Sequence, residues 1–265
     1  TKFLKLAKSD KNIVSFIFLL RQKRFMWRLK MDSGNIGFVL LCAAFVFVMT
    51  PGLAMFYGGL VRKKNVVNTM MTSIFIIGIG IVMWVLFGYS LSFAPSGNAF
   101  IGDFRWLGLE GVSLTEGYTD DASIPNMVFS AFQMMFAVIT PALITGAVAG
   151  RMKFKSIFVF TIFWSLIVYY PLAHMVWGQG GLLGADGIGA LDFAGGDVVH
   201  ISSGVSALVL CILLGKRHDY EHSIYRIHNI PKVVLGASLL MFGWFGFNAG
   251  SALAADGLAA HAFMT

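Results

Sequence analysis

Residues 36–65 read IGFVLLCAAFVFVMTPGLAMFYGGLVRKKN. Residues 36–60 pass without a charge, and then Arg62, Lys63 and Lys64 arrive together. About 20 mostly apolar residues suffice to cross a bilayer as a helix. A run of this length that ends in a basic cluster predicts a span stopping at the cytoplasmic face. Working outward, five more segments qualify, at roughly 66–94, 124–149, 154–177, 197–215 and 231–251, and a seventh begins near 256. The run 13–20 is too short to span and is flanked by charge. The expected fold class is an all-α membrane protein, a polytopic helical bundle.

Composition agrees. The 265 residues are 57% hydrophobic and 12% charged, against about 25% charged in a soluble domain. Such a chain has too little polar surface for water, so lipid is its solvent. Cys42 and Cys211 both sit in apolar runs and read as small packing residues rather than a disulfide. No Cys or His pair has zinc spacing. No metal or other cofactor is expected.

The net charge of +7 does not point to nucleic acid, because of where it lies. Residues 1–30 hold nine Lys/Arg and one Asp, whereas residues 31–265 hold eleven Lys/Arg and twelve Asp/Glu. The loops at 62–64, 151–155 and 216–232 contain ten Lys/Arg. The alternate loops at 95–123, 178–196 and 252–256 contain only Arg105, with Asp103, Glu110, Glu116, Asp120, Asp121, Asp186, Asp192 and Asp256. This alternation is the positive-inside pattern of helices crossing in turn. It puts the first three loops in the cytoplasm and the segment before the first span outside, in a cell membrane.

The tail 1–30 conflicts with that rule, being strongly basic on the outer side. It reads as a processed targeting segment, an unusual extension, or upstream sequence preceding a true start at Met31. The last removes the conflict and is the expectation carried forward, with residues 31–265 as the membrane domain.

Polar and aromatic groups at bilayer depth mark functional positions. His200, in DVVHISSG, either lines a pore or bonds to a neighbouring carbonyl in the core. Asp192 and Asp197 flank the start of the fifth span, and either carboxylate suits a helix N-terminus. For Asp197 capping is the favoured reading. Asp192, beside Phe193, could be buried near an outer mouth, where it would attract a small cation. Phe132 and Phe136 share a face of the third span, Trp177 ends the fourth, and Phe247 and Ser251 are i and i+4 at the end of the sixth. Aromatic faces hold desolvated ammonium-type cations, but packing and an interfacial belt explain aromatics equally well. Gly146-x-x-x-Gly150 and Gly246-x-x-x-Gly250 allow close helix contact. His174 reads as a hydrogen-bonding support, His218, His222 and His228 as solvated, and the glycine-rich 178–184 lacks the strand that a nucleotide loop needs. His261 lies too near the end to place.

The stretches MTPGLAMFYGGLVRKKN (49–65), ITPALITGAVAGR (139–151), AHMVWG with LDFAGGDVVH (173–200) and GWFGFNAGS (243–251) together resemble the ammonium transporter family. That family includes the methylammonium permeases and Rhesus glycoproteins, and the likeness is to its bacterial and archaeal members. It runs from about residue 33 to the end. It implies a fold of eleven helices in two five-helix repeats of opposite topology, of which this chain would supply the first and the opening of the second. It implies an outer recruitment site at Phe136, Trp177 and Ser251, with Phe132 close by. It implies a stacked phenyl gate at Phe136 and Phe247, and His200 as the first of two pore histidines. Asp192 would stabilise the cation and hold local backbone. The second histidine would lie beyond this chain. The resemblance further implies ammonium or methylammonium as substrate, a homotrimer, and a PII-type regulator at the cytoplasmic face. Rival readings are an ammonium sensor, a Rhesus-type gas channel, a membrane enzyme using His200 and Asp192, and an inactive fragment. Trp177 speaks against the gas channel. The absence of a nucleophile or metal set speaks against the enzyme.

Overall fold

The computed structural model describes residues 31–95, 98–185, 187–217, 220 and 224–265. The tail 1–30, Asp186, His218 and His222 lie outside the described residues. Six helices are long and apolar enough to cross a membrane: α1 (Ser33–Leu60), α2 (Lys63–Phe93), α3 (Asn126–Val148), α4 (Phe154–Trp177), α5 (Gly196–Leu214) and α6 (Ile230–Gly250). A seventh helix, α7 (Gly257–Met264), follows. Each lies within a few residues of its predicted span, and the protein is a multi-pass, all-helical membrane protein.

Several helix starts are fixed by short acceptor side chains. Asp32 caps α1 by accepting the Asn35 N–H at 2.8 Å. Asn229 caps α6 through the Lys232 N–H at 2.9 Å, and Asp256 caps α7 through that of Ala259 at 2.9 Å. These side-chain oxygens satisfy donors that no helical carbonyl can reach. Pro51 and Pro141 sit inside α1 and α3, which helices in lipid tolerate when neighbours cover the interrupted turn.

α3 is the centre of the bundle. In its most apolar stretch 67% of residues are buried, against 22% in α5 and in α6. It packs on α1, α2, α4 and α5. Elsewhere apolar side chains face outward: Val67, Met71, Phe75, Val82 and Leu86 form an exposed stripe along α2. In water this would be an aggregation surface. Beside lipid tails it is the solvated face.

Close approach, not a hydrophobic drive, joins helices in lipid. The seam between α1 and α6 is built this way. A Cβ on Gly236 would stand 2.4 Å from the Phe56 amide nitrogen, and one on Gly246 would stand 2.7 Å from the Cys42 carbonyl oxygen. A Cβ on Gly146 would strike the Tyr57 ring at 2.4 Å. Gly150, its expected partner in the contact motif, serves differently. It takes a left-handed φ of +74° just past the end of α3, and a Cβ there would also stand 2.8 Å from the Asn65 side-chain nitrogen, so it is a turn residue as well as a close-contact one. Cys42 and Cys211 are free thiols. Cys42 is buried, while Cys211 is part-buried and takes an N–H from Arg151 at 3.0 Å. His228 is half-buried, short of the full solvation expected, because its backbone N–H is tied to the Val61 carbonyl at 3.1 Å.

The seam makes a direct prediction. Gly236→Ala should lower the thermal unfolding midpoint of the detergent-solubilised full-length protein, with an overpacking cost of about 1–3 kcal/mol. On α5, a Cβ added to Gly204 would meet nothing within 4 Å, and Gly204→Ala should leave the midpoint unchanged or raise it. Equal effects of the two changes would refute the close-packing role of the α1–α6 seam.

Candidate functional site

The long loops 94–125 and 178–195 and the nearby ends of α3 and α6 enclose a cavity of about 340 Å³. Phe132, Gln133, Phe136, Trp177, Asp192 and Ser251 line it, with Tyr118 and Phe129. Five of the residues singled out in the sequence therefore meet at one opening, contributed by α3, α4, the loop before α5, and the end of α6.

α3 supplies the floor. Phe132 and Phe136 are one turn apart, 99% buried, with ring centroids 4.9 Å apart at 69°. Trp177 stands edge-on to Phe136 at 6.1 Å and 86°. Phe247 lies on Phe136 at 4.5 Å, inclined by 43°. The expected stacked pair is thus in contact but tilted. Behind Phe247 comes His200, whose ring is 5.9 Å from it at 29°. Trp177, Phe136, Phe247 and His200 form an unbroken row of rings leading from the cavity, past the buried Phe136 and Phe247, to the open side of α5.

Ser251 closes the cavity with a prepared acceptor. Its hydroxyl donates to the Phe247 carbonyl at 2.8 Å. That commits its proton and leaves oxygen lone pairs for an incoming N–H. Gln133 Oε1 is buried without a hydrogen-bond partner, so it is a second acceptor at the same opening. The Tyr118 hydroxyl accepts the Gln179 N–H at 3.0 Å. Burial pushes this phenol up to about 12, so it keeps its proton.

Asp192 organises the inner wall. Its carboxylate accepts four successive backbone N–H groups, from Gly195, Gly196, Asp197 and Val198. These are the unpaired donors at the start of α5. The sequence favours Asp197 for this capping, but Asp192 performs it. The chain can fold back so sharply because Gly195 has φ +118°, a left-handed value at which a side chain would also strike Val199. Both carboxylate oxygens are engaged by the backbone, so Asp192 offers charge nearby but no open coordination to a cation. Its own carbonyl accepts the Trp177 indole N–H at 2.9 Å. One residue thus sets both the start of α5 and the plane of the tryptophan.

α5 opens with a π-helical turn, Gly196–Ile201, that contains His200. Such turns widen the helix and recur at functional positions. The Ser202 and Ser203 hydroxyls donate to the Val198 and Val199 carbonyls at 2.5 and 2.6 Å. His200 lies on the open side of α5, and its ring stacks on Trp244 at 5.6 Å and 9°. Trp244 is not among the residues that the sequence singles out. It stands three residues before Phe247, on the same helical face, and that spacing is the signal that could have found it.

His174 is fully buried, with Nδ1 3.1 Å from the Ser92 carbonyl and Nε2 2.8 Å from that of Asn98. It ties α4 to the end of α2, the supporting part expected of it. Outside the cavity, Asp103 pairs with Arg105 at 2.6 Å. Hydrogen bonding to that guanidinium holds the Asp103 carboxyl below its usual range.

Comparison with known proteins follows this geometry. A family model described as "Ammonium Transporter Family" matches residues 37–265. An ammonium transporter of Bacillus subtilis is 53% identical over 88% of this chain and 56% of its own length. The crystal structure of Saccharomyces cerevisiae Mep2 is similar at a TM-score of 0.79, with 36% identity over 90% of this chain and 53% of that one. A structure named "Sensor Amt Protein" is similar at 0.74, with 29% identity over 86% of this chain and 56% of that one. The chain thus spans about half the length of the relatives it matches. Its family is nonetheless plain from the match across nearly all of the membrane domain: the chain belongs to the ammonium transporter family.

Proposed function

We propose that this chain forms the outer capture site and the first part of the conduction path of a protein that carries ammonium or methylammonium across a cell membrane. The observation that carries the reading is the row Trp177–Phe136–Phe247–His200, which begins at an aromatic cavity and ends at an imidazole. In this reading the cavity faces outside, as the alternating loop charge implies.

Magnitudes divide the work between the parts. An aromatic face holds a desolvated cation by about 2 kcal/mol. Removing an ammonium-sized ion from water altogether costs of order 20 kcal/mol. Trp177, Phe132 and Phe136 therefore suffice to capture a partly hydrated cation at the mouth, with Ser251 and Gln133 accepting its N–H groups. They do not suffice to carry a charge past the tilted Phe136–Phe247 pair, which acts as the gate. Passage therefore requires the cation to hand its proton to a base, and the first basic nitrogen along the row is that of the neutral His200 imidazole, which takes the proton as neutral ammonia passes. A neutral imidazole offers one donor and one acceptor, which suits a relay with a second histidine supplied by later helices. Asp192 acts as a positioning residue: it fixes Trp177 and the start of α5, and adds a negative field.

Homotrimer assembly and a PII-type regulator on the cytoplasmic loops complete the proposal, both drawn from the family. A sensor is the second reading, favoured by the likeness to the structure named "Sensor Amt Protein". A signalling domain joined to the same polypeptide would support it.

Three outcomes are expected in the full-length protein. Trp177→Leu should weaken half-saturation for methylammonium uptake by roughly tenfold, the loss of one cation–π face, and unchanged affinity and selectivity would sink the capture site. His200→Ala should abolish or recast conduction while equilibrium binding at the mouth survives; normal uptake in both His200→Ala and His200→Asp would remove the relay. Asp192→Asn keeps one acceptor oxygen of two. It should lose at least about 1 kcal/mol of stability and shift Trp177 fluorescence. Full stability with uptake lost would instead make Asp192 a direct cation ligand.

A further inference from the structure

The basic loops at the opposite end of the bundle converge on a second cavity, of about 430 Å³. Arg62 and Lys64 reach it from the α1–α2 loop, Arg151 from the α3–α4 loop, and Lys216, Arg217 and Tyr225 from the α5–α6 loop. Among the described residues no carboxylate lines it. Topology alone accounts for cations on this side of the membrane. It does not account for gathering five around one hollow, where they repel one another.

The arrangement is built, not incidental. The Arg62 and Arg217 guanidinium carbons lie 4.8 and 4.5 Å from the centroid of the same ring, that of Tyr225. Arg151 Nη1 donates to the Gly215 carbonyl at 2.7 Å, and Arg217 Nη2 to that of Ala149 at 3.3 Å. Those bonds orient the two side chains on the C-terminal ends of α5 and α3, whose dipoles favour cations. Arg151 Nη2 is further taken up by the Ala147 carbonyl and the Cys211 sulfur, so Arg151 is largely engaged within the protein, whereas the Arg217 bond uses one nitrogen of its fork. By sequence, the three basic loops carry ten Lys/Arg against Asp219 and Glu221 alone, so neighbouring acids leave the cluster strongly positive.

We propose that this cavity is a binding site for a phosphate group. Planar guanidinium forks match phosphate oxygens in pairs, and lysines add point charge. Two sources present that chemistry at the inner ends of the spans: the headgroup of an anionic phospholipid and a soluble phosphate compound. The site is independent of the ammonium path, since the two cavities share no residue, and it stands whether or not His200 relays protons.

The test uses the full-length protein in neutral-lipid nanodiscs, with native mass spectrometry reading bound phosphatidylglycerol and a thermal-shift titration reading inorganic phosphate. The variants are Lys64→Gln/Arg217→Gln, and Lys155→Gln as an inner-loop charge outside the cavity. At about 1 kcal/mol per cation, the double variant should lose roughly tenfold or more in affinity and the control should not. Loss confined to phosphatidylglycerol identifies the headgroup; a matching loss for inorganic phosphate identifies the soluble anion. Both support the site. Equal loss in Lys155→Gln, unchanged binding in the double variant, or binding of an acidic peptide with neither phosphate probe retained would overturn it. Unaltered methylammonium uptake in the double variant keeps this result separate from the transport reading.

Discussion

Four amide N–H groups at the start of α5 converge on the two oxygens of the Asp192 carboxylate. Within a membrane protein such donors have little water to fall back on. Leaving a fully buried one unsatisfied costs about 1–3 kcal/mol. Here three of the four bonds are part-buried and that from Gly196 is exposed, so their joint loss is a part of a domain's stability of about 5–15 kcal/mol rather than the whole of it. The loop before α5 has to bring an acceptor to that spot. The left-handed Gly195 lets it do so, and the Gly195 carbonyl then takes the N–H groups of Val199 and His200. The same loop delivers the Asp192 carbonyl to the Trp177 indole. The outer tryptophan and the inner histidine are thereby referenced to one anchor, although they sit on different helices.

Much of the bundle follows the same rule of internal satisfaction. Thr140, Thr145, Ser202, Ser203, Ser206 and Ser251 each donate to a carbonyl three or four residues back. These six hydroxyls thereby lie at membrane depth with their protons engaged, whereas those of Thr50, Thr69 and Ser92 are buried without a partner. The apolar surface can then face outward, and helix association rests on glycine contact, as along α1 and α6. This also explains why α3 carries the site. It is the most enclosed helix, so its Phe132 and Phe136 are held by neighbours on all sides and present fixed faces.

Much of this architecture is legible in the sequence because lipid imposes coarse rules. A 25-residue uncharged run closed by Arg62, Lys63 and Lys64 has few other readings. The site is legible differently. Composition leaves Phe132, Phe136, Trp177 and His200 open to plain packing readings, and only the resemblance draws them together. Beyond the resemblance's hint that Asp192 holds local backbone, what neither route supplies is the detailed backbone geometry. Capping falls to Asp197 by its place at the helix start, because a carboxylate five residues upstream reaches the turn only if the chain folds back at Gly195. The contact motif at Gly150 does not disclose that the residue also turns the chain, because its positive φ is invisible to spacing. Trp244 escapes notice because an aromatic in an apolar run has no distinguishing mark until His200 is seen stacked on it. Hydrophobic periodicity encodes which face is turned inward, but not which carbonyl a given N–H will find.

The geometry of the aromatic row constrains mechanism more than its composition does. Were Phe136 and Phe247 parallel and well separated, a hydrated cation could pass between their faces. At 4.5 Å and 43°, with both rings buried, they leave no room for a solvation shell. Attraction of about 2 kcal/mol per face is adequate to hold a cation at the mouth, and is an order of magnitude below what complete dehydration demands. Capture and passage are therefore separate events in the proposed path, governed by different residues. In that proposal the cavity recognises charge, through aromatic faces and the acceptors Ser251 and Gln133. The row beyond it excludes charge, and its next polar group, His200, is one that can exchange a proton. In the proposed path that order, recognition of the cation followed by a barrier to it, is what would reconcile selectivity for ammonium with a row of rings.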